Sequence, residues 1–226
     1  MRKKILISTG GSGGHVIPAI AFHDHLKEKF DVFFTLDQRG SKFLEKKKYN
    51  IKIIPAPRLT LNLIKLPLNF AMLFVSIIIS IFFLKREKID ILIGTGGYMS
   101  VPICIAAKIL NIKIYLFEPN MVLGRANKFL IKFSSKLFCY SKKITNLPLK
   151  DENKLVVIDK ILRKEIYNFS DYNKDKIEDK INLLIVGGSQ GAKIFDENLK
   201  NSIIKLSKKY KLFIYHQVSS LDLKNL

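Results

Sequence analysis

Short apolar runs alternate with longer segments of helical periodicity over the first 140 residues. Between the first two runs, Ala19, Phe22, Leu26 and Phe30 recur at helical spacing and form one apolar face. The predicted strands lie at 5–7, 31–36, 51–54, 89–93, 113–117 and 136–140, and a short basic helix is predicted through Lys48. This repeated β-α-β pattern predicts an α/β fold with a parallel sheet and right-handed crossovers.

Residues 66–84 form a stretch of 19 residues without a charged side chain, flanked by Lys65, Lys85 and Arg86. Its length is at the lower limit for a transmembrane helix. A proline and an asparagine interrupt its start, however, and strands precede and follow it as they would a crossover helix. Three interpretations stay open: a spanning helix, a buried crossover helix, or a crossover helix with one face resting on lipid.

A glycine-rich loop, Ser-Thr-Gly-Gly-Ser-Gly-Gly-His at 8–15, follows the first predicted strand. Pro18 is expected in the first turn of the next helix, whose free N–H groups would point back at the loop. Such a loop suits phosphate or sugar hydroxyls. Its spacing does not fit a dinucleotide fingerprint, because Val16 stands where the third glycine is needed, and it lacks the Gly-Lys-Ser/Thr of a P-loop.

Two further loops repeat this arrangement. Gly-Thr-Gly-Gly-Tyr-Met-Ser at 94–100 follows a predicted strand, and Pro102 opens the next helix. Glu-Pro-Asn at 118–120 follows the strand at 113–117. Because the carboxyl ends of parallel strands meet at one edge of a sheet, the three loops are predicted to line a ligand site there.

The polar composition of residues 167–180 predicts a linker between an N-terminal domain, 1–166, and the start of a second unit, 181–226. The second unit reads as strand, glycine loop, helix and strand, which is too little to close a core of its own. It is therefore expected to be incomplete or to lean on the first domain.

The loop Gly-Gly-Ser-Gln-Gly-Ala at 187–192 is predicted to bind an anion such as a diphosphate through backbone N–H groups at a helix start. The same residues match the Gly-x-Ser-x-Gly motif of a hydrolase nucleophile elbow, with Ser189 as the nucleophile. That interpretation is disfavoured, because His216 and Asp222 follow in the wrong order for its other catalytic groups.

The chain of 226 residues contains 39 Lys and Arg against 19 Asp and Glu, a formal charge of +20. This excess favours an anionic partner, either a membrane surface or nucleic acid, although a biased genome explains it equally well. Nucleic acid is disfavoured, since no recognition helix or aromatic RNA-binding motif accompanies the charge. Cys104 and Cys139 read as buried thiols, and no residue cluster has metal-ligand spacing.

Four motifs, at 9–15, 94–102, 118–120 and 187–192, stand together in an order that resembles the MurG family of peptidoglycan glycosyltransferases. The resemblance implies a GT-B fold of two Rossmann-like domains, of which this chain holds the N-terminal one and the beginning of the second. It also implies inverting transfer of GlcNAc from UDP-GlcNAc to the C4 hydroxyl of lipid I, which gives lipid II. Such an enzyme is peripheral on the cytoplasmic face of the inner membrane, with lipid I, UDP-GlcNAc, the anionic membrane surface and cell-wall synthesis proteins as partners and no cofactor.

The resemblance also assigns site residues. His15 is the catalytic candidate, as base or acceptor-positioning group, because imidazole titrates near neutrality. The positions that match UDP-GlcNAc-binding residues are Ser12, Gly13, Gly14, Asn120, Arg163 and Ser189. The positions that match the acceptor loop are Gly96, Gly97, Tyr98 and Glu118. The chain departs from the family at Phe117 and Pro119, where His and Gln are usual, and at 159–161, where Asp-Lys-Ile replaces Gly-Asn-Pro.

Family members extend well past residue 226, and most of the pocket for uracil, ribose and GlcNAc lies in that additional part. Residues 1–226 alone are therefore expected to show no GlcNAc transfer. The alternative hypothesis is a non-catalytic remnant, or one half of a split enzyme, that binds lipid or a cell-wall synthesis partner.

Overall fold

The structure is a computed structural model, and it describes residues 2–11, 13–44, 48–55, 66–167, 180–187 and 193–218. The chain forms two compact units, Met1–Ser170 and Asp171–Leu226. The predicted linker at 167–180 lies mostly outside the described residues, so its boundaries stay a prediction.

The first unit is built on a seven-stranded parallel sheet with the order β3-β2-β1-β4-β5-β6-β7. Its strands are β1 (Lys4–Ser8), β2 (Asp31–Leu36), β3 (Asn50–Ile53), β4 (Ile91–Gly94), β5 (Lys113–Glu118), β6 (Lys136–Cys139) and β7 (Leu155–Val157). The predicted α/β class and parallel sheet are confirmed. The sequence pattern did not predict β7, which has only three residues.

The described part of this unit contains five α-helices: α1 (Gly13–Leu26), α2 (Leu66–Glu87), α3 (Ser100–Ile109), α4 (Arg125–Leu130) and α5 (Lys164–Tyr167). The prediction that Pro18 opens α1 is wrong, because the helix begins at Gly13. Pro18 removes the hydrogen bond to the carbonyl of Gly14. Gly14 is exposed, so water can replace that bond. The predicted basic helix is a 3-10 turn at Gly40–Phe43, and residues 45–47 lie outside the described ranges.

Two hydrophobic clusters cover the two faces of the sheet. On one face, Ile5 and Ile7 of β1 pack with Val16 and Phe22 of α1. On the other, Leu6 packs in the cluster that also contains Leu84 of α2 and residues of α3. The alternation along β1 follows from the period of two in a strand, and it leaves the strand ends free to carry loops.

Helix α2 exposes its apolar side and buries a partly polar one. Ser76 and Ser80 are buried, and the hydroxyl of Ser76 donates to the carbonyl of Pro55 at 2.6 Å. The exposed large side chains are Leu68, Phe70, Met72, Phe74, Val75, Ile78 and Phe82. By length and composition α2 could cross a membrane. Only 17% of its most apolar window is buried within the protein. The interpretation as a buried crossover helix is therefore wrong.

The second unit contains β8 (Lys180–Ile185), α6 (Lys193–Asn198), α7 (Lys200–Ser207) and β9 (Lys211–His216). The two predicted strands of this unit pair in parallel. Within this unit, Nε2 of His216 lies 3.2 Å from Oδ1 of Asp196.

Candidate functional site

The two N-terminal glycine loops meet at His15. Each loop leaves the end of a central strand, and the amide of Thr95 donates to the carbonyl of Ser8 at 3.0 Å. Nδ1 of His15 lies 2.8 Å from the carbonyl oxygen of Thr95. The hydroxyl of Thr95 in turn donates to the carbonyl of His15 at 3.2 Å. These bonds hold the first turn of α1 against the loop after β4.

The contact with Thr95 sets the tautomer of the His15 ring. A carbonyl oxygen can only accept, so Nδ1 carries the hydrogen and Nε2 of the neutral ring keeps its lone pair. His15 is half-buried, and no hydrogen bond joins Nε2 to the part of the chain that the structure describes. A proton acceptor is thus fixed where the two glycine loops meet.

Glycine is required in the second loop because the loop passes under the His15 ring. Gly96 has φ of +92° and Gly97 of +81°, which side chains rarely adopt. A Cβ at Gly96 would lie 3.0 Å from both Cε1 and Nδ1 of His15, and one at Gly97 would lie 3.3 Å from the carbonyl oxygen of Gly10. The spacing Gly-Thr-Gly-Gly therefore serves close approach of one loop to the other.

Asp37, which follows β2, ties three loops together and was not among the predicted site residues. Its Oδ1 accepts the amide hydrogens of Gly11 at 3.0 Å and Gly40 at 2.8 Å. Its Oδ2 accepts from the Tyr98 hydroxyl at 3.0 Å and from the Arg39 guanidinium at 3.1 Å. The sequence signal was Asp-x-Arg-Gly directly after a strand, which indicates a turn but names no partners.

The charge on Asp37 is favoured by this environment. Burial alone would raise the pKa of the carboxyl, but the amides, phenol and guanidinium that donate to it outweigh burial and lower the pKa. The guanidinium of Arg39 also donates to the Tyr98 hydroxyl and lies over its ring, 5.3 Å from the centroid. Tyr98, predicted in the acceptor loop, is thereby held beside the first glycine loop.

Glu118 organises the third loop from within. Its side chain is buried, and Oε1 accepts from the side-chain amide of Asn120 at 2.9 Å. Oε2 accepts from the amide of Gly124 at 2.9 Å and from Nδ2 of Asn127 at 3.0 Å. The structure thus joins Glu118 and Asn120, two predicted site residues. Asn127 lies close to the second glycine loop, since a Cβ built on Gly96 would be 3.5 Å from its Nδ2.

Arg163 lies apart from this cluster. The carbonyl of the preceding residue, Leu162, is 3.0 Å from Nε2 of His25, near the end of α1. Ten residues of helix separate His15 from His25, a rise of about 15 Å, which exceeds the reach of an arginine side chain. Arg163 lies 3.9 Å from Glu165, so its predicted contact with a diphosphate stays a prediction.

Of the four remaining predicted site residues, the structure describes Gly13 and Gly14. Gly13 is buried, and a Cβ there would be 3.5 Å from the Phe43 ring, whereas Gly14 is exposed. Ser12 and Ser189 lie outside the described residues.

Cys104 and Cys139 are buried free thiols, as predicted, and burial raises the pKa of Cys104 to about 12. Within the described ranges, no group of three or more His, Cys, Asp or Glu residues could hold a metal ion.

Comparison with known families decides what these loops belong to. The model of the glycosyltransferase family 28 N-terminal domain matches residues 5–139, which contain β1 to β6 and the three loops at their ends. The chain belongs to glycosyltransferase family 28.

Two named relatives match nearly the whole chain. It is 57% identical over 98% of its length to the UDP-N-acetylglucosamine--N-acetylmuramyl-(pentapeptide) pyrophosphoryl-undecaprenol N-acetylglucosamine transferase of Pelagibacter ubique. It is 34% identical over 97% of its length to the transferase of the same name from Rickettsia canadensis. The chain spans 62% of the length of each of these relatives.

A solved structure has a similar architecture. The crystal structure of Acinetobacter baumannii MurG superposes with a TM-score of 0.72 and 26% identity, over 95% of this chain and 60% of that one. The GT-B type of fold expected from the sequence is thereby confirmed.

Proposed function

We propose that this chain supplies the acceptor-binding part of an inverting glycosyltransferase that moves GlcNAc from UDP-GlcNAc to lipid I, giving lipid II. The names of the relatives support the donor and the acceptor. The observation that carries the chemistry is the 2.8 Å contact of His15 Nδ1 with the carbonyl of Thr95, which leaves Nε2 as a proton acceptor.

In this proposal the reaction is a single in-line displacement. Nε2 of His15 takes the proton of the acceptor C4 hydroxyl as its oxygen attacks the anomeric carbon of GlcNAc from the side opposite the diphosphate. The bond to the diphosphate breaks, and configuration at the anomeric carbon inverts. Holding the base by its other nitrogen matters, because an attacking hydroxyl must be deprotonated within a narrow range of geometry.

The other site residues divide between the two substrates. Tyr98, Gly96 and Gly97 are proposed to line the acceptor side, and Glu118 to shape it by holding the loop to Asn120. The amides of Gly13 and Gly14, with Ser12, are proposed to face the donor sugar and diphosphate. Asn120 and Ser189 complete the proposed donor contacts.

We also infer that the protein is peripheral on the cytoplasmic face of the inner membrane, attached through α2. The exposed side chains Phe74 and Phe82, 65% and 71% accessible, would enter the lipid. Lys85 and Arg86 at the end of the helix would meet anionic headgroups, each worth about 1 kcal/mol at low salt. Lipid I would then enter the site from the surface on which the enzyme lies.

The test is radiolabelled GlcNAc transfer to lipid I by a chimera of residues 1–226 and the additional C-terminal part of the Pelagibacter relative. We expect labelled lipid II from the chimera and none from residues 1–226 alone. A folded chimera that binds UDP-GlcNAc and vesicles but transfers no label would instead support the alternative, a non-catalytic protein that binds lipid or a cell-wall synthesis partner.

A further inference from the structure

The turn that follows β2, residues 37–43, runs alongside the first glycine loop, and we call it the β2 turn. A Cβ built on Gly40 would lie 3.0 Å from Cα of Gly10, and one built on Gly13 would lie 3.5 Å from the ring of Phe43. Because β1 lies between β2 and β4 in the sheet, the β2 turn and the loop after β4 border the first glycine loop from opposite sides. The β2 turn is therefore a second wall of the site.

Arg39 of the β2 turn has a guanidinium that is only partly used within the protein. Nε and Nη2 donate to Oδ2 of Asp37, both at 3.1 Å, and Nη2 also donates to the Tyr98 hydroxyl. A guanidinium carries five N–H donors. These bonds use three of them, and the two on Nη1 have no acceptor among the residues that the structure describes. The side chain is 41% exposed, which leaves it open to a ligand.

The contact with Asp37 fixes the orientation of this cation without being the only support of the carboxylate. The carboxylate of Asp37 also accepts the amide hydrogens of Gly11 and Gly40 and the hydroxyl hydrogen of Tyr98. It holds the guanidinium of Arg39 by the edge formed by Nε and Nη2. A planar cation that is held by one edge and keeps two donors on another atom is arranged in advance for a second oxyanion.

We propose that Arg39 binds an oxyanion of the acceptor through the two N–H groups of Nη1. This inference rests on the proposed function and adds a binding residue to it. The acceptor side is assigned because the guanidinium donates to the hydroxyl of Tyr98, the proposed acceptor-loop residue, and lies over its ring, 5.3 Å from the centroid. The names of the relatives give their acceptor a pentapeptide and a pyrophosphoryl group, so the oxyanion is a carboxylate or a phosphate. A guanidinium binds either of them well.

The competing explanation is that Arg39 serves only as the ion-pair partner of Asp37. Replacing Arg39 would then loosen the loops and weaken the binding of every acceptor alike. A direct contact instead weakens only those acceptors that carry the contacted anion. The two explanations therefore differ in how the loss depends on the ligand.

Binding of acceptor analogues to residues 1–226, measured by equilibrium dialysis, separates these explanations. The complete probe is N-acetylmuramyl-pentapeptide diphosphate esterified to a short prenyl chain, which keeps it soluble in water. A second probe has a neutral methylamide in place of the peptide, and a third has a methyl glycoside in place of the prenyl diphosphate. The test variant is Arg39→Gln. The matched control is Lys42→Gln, which removes the same charge from an exposed residue of the same turn.

We expect Arg39→Gln to raise the Kd of the complete probe about tenfold, the usual loss for a charge-assisted hydrogen bond, and Lys42→Gln to raise it by less than about twofold. The rise should disappear with the probe that lacks the contacted anion, which identifies the anion as peptide carboxylate or diphosphate. The ratio of the Kd values of two probes does not depend on the folded fraction of a variant. The comparison therefore holds even if Arg39→Gln is partly unfolded.

An unchanged Kd in Arg39→Gln, or the same rise for all three probes, would overturn this inference and leave Arg39 as a partner of Asp37. The proposed function would stand in either case. Wild-type protein that binds none of the three probes would instead overturn the acceptor-binding function, and this inference with it.

Discussion

His15 and His25 lie on the same helix and hold carbonyl oxygens with opposite ring nitrogens. Nδ1 of His15 is 2.8 Å from the carbonyl of Thr95, while Nε2 of His25 is 3.0 Å from that of Leu162. Since a carbonyl only accepts, the two neutral rings must carry their hydrogens on different nitrogens. The consequence for His15 is a free lone pair on Nε2, the atom that we propose as the base.

This difference predicts two distinct NMR patterns. With ¹⁵N-labelled histidine in residues 1–226 above pH 8, long-range ¹H–¹⁵N spectra should show His15 protonated at Nδ1 and His25 at Nε2. The His15→Ala and His25→Ala variants assign the signals. A His15 ring protonated at Nε2 would remove the proton acceptor from the proposed mechanism.

Gly96→Ala should destabilise the first unit by about 2–3 kcal/mol. The left-handed backbone costs an alanine about 1–2 kcal/mol, and moving the His15 ring away from the new Cβ breaks a hydrogen bond worth about 1 kcal/mol. Gly11→Ala is the matched control, since Gly11 has a similar φ of +84° but no atom within 4 Å of the place that a Cβ would occupy. Urea unfolding measures both.

Gly11→Ala should lose only the stability that the left-handed backbone costs, about 1–2 kcal/mol, and should keep the His15 NMR pattern. Gly96→Ala should change that pattern. Equal destabilisation of the two variants, with His15 unperturbed in both, would mean that the glycine at 96 serves the backbone alone.

Asp37→Asn should destabilise the first unit by about 1–3 kcal/mol at pH 7, because the charged acceptor of four donors becomes neutral. The pKa of Asp37 is lowered from its ordinary value of 3.8, so its contribution is complete above that pH and is lost as pH falls through the folded-state pKa. The difference between wild type and variant in urea unfolding should therefore be constant from pH 8 to 5 and shrink below pH 4.

The variant Tyr98→Phe tests whether the hydrogen bond between Tyr98 and Asp37 contributes to this loss of stability. Asp37→Asn and Tyr98→Phe share one hydrogen bond, so their combined cost should be less than the sum of the single costs. Strict additivity, or a difference between wild type and Asp37→Asn that does not depend on pH, would argue against the charged link between the loops.

Local pattern was sufficient for β1 to β6, because strands buried on both faces appear in the sequence as short apolar runs, but it missed the three-residue strand β7. It failed for the start of α1, since the pattern places Pro18 in the first turn while the helix tolerates it one turn further in. It also left α2 ambiguous, because an exposed apolar side and a buried one look alike in sequence. The buried side is identified only by its packing against the protein, at Ser76, Ser80, Phe83 and Leu84.

The site was predicted unevenly for a physical reason. Glycine loops and His15 are marked by their own spacing, whereas Asp37 acts through partners that are distant in sequence. Asp37 contacts Gly11, 26 residues before it, and Tyr98, 61 residues after it, and nothing in its neighbourhood signals those contacts. Glu118 was found by motif, but its burial within a loop network was not.

We propose that His15 is the base of GlcNAc transfer to lipid I. The most direct test is turnover by the chimera of residues 1–226 with the C-terminal part of the Pelagibacter relative. His15→Ala should lower kcat about 100-fold or more with a smaller change in KM, the usual loss for a general base. His25→Ala, an exposed histidine at the other end of the same helix, should transfer GlcNAc as wild type does. Wild-type kcat in the His15→Ala chimera would contradict the account.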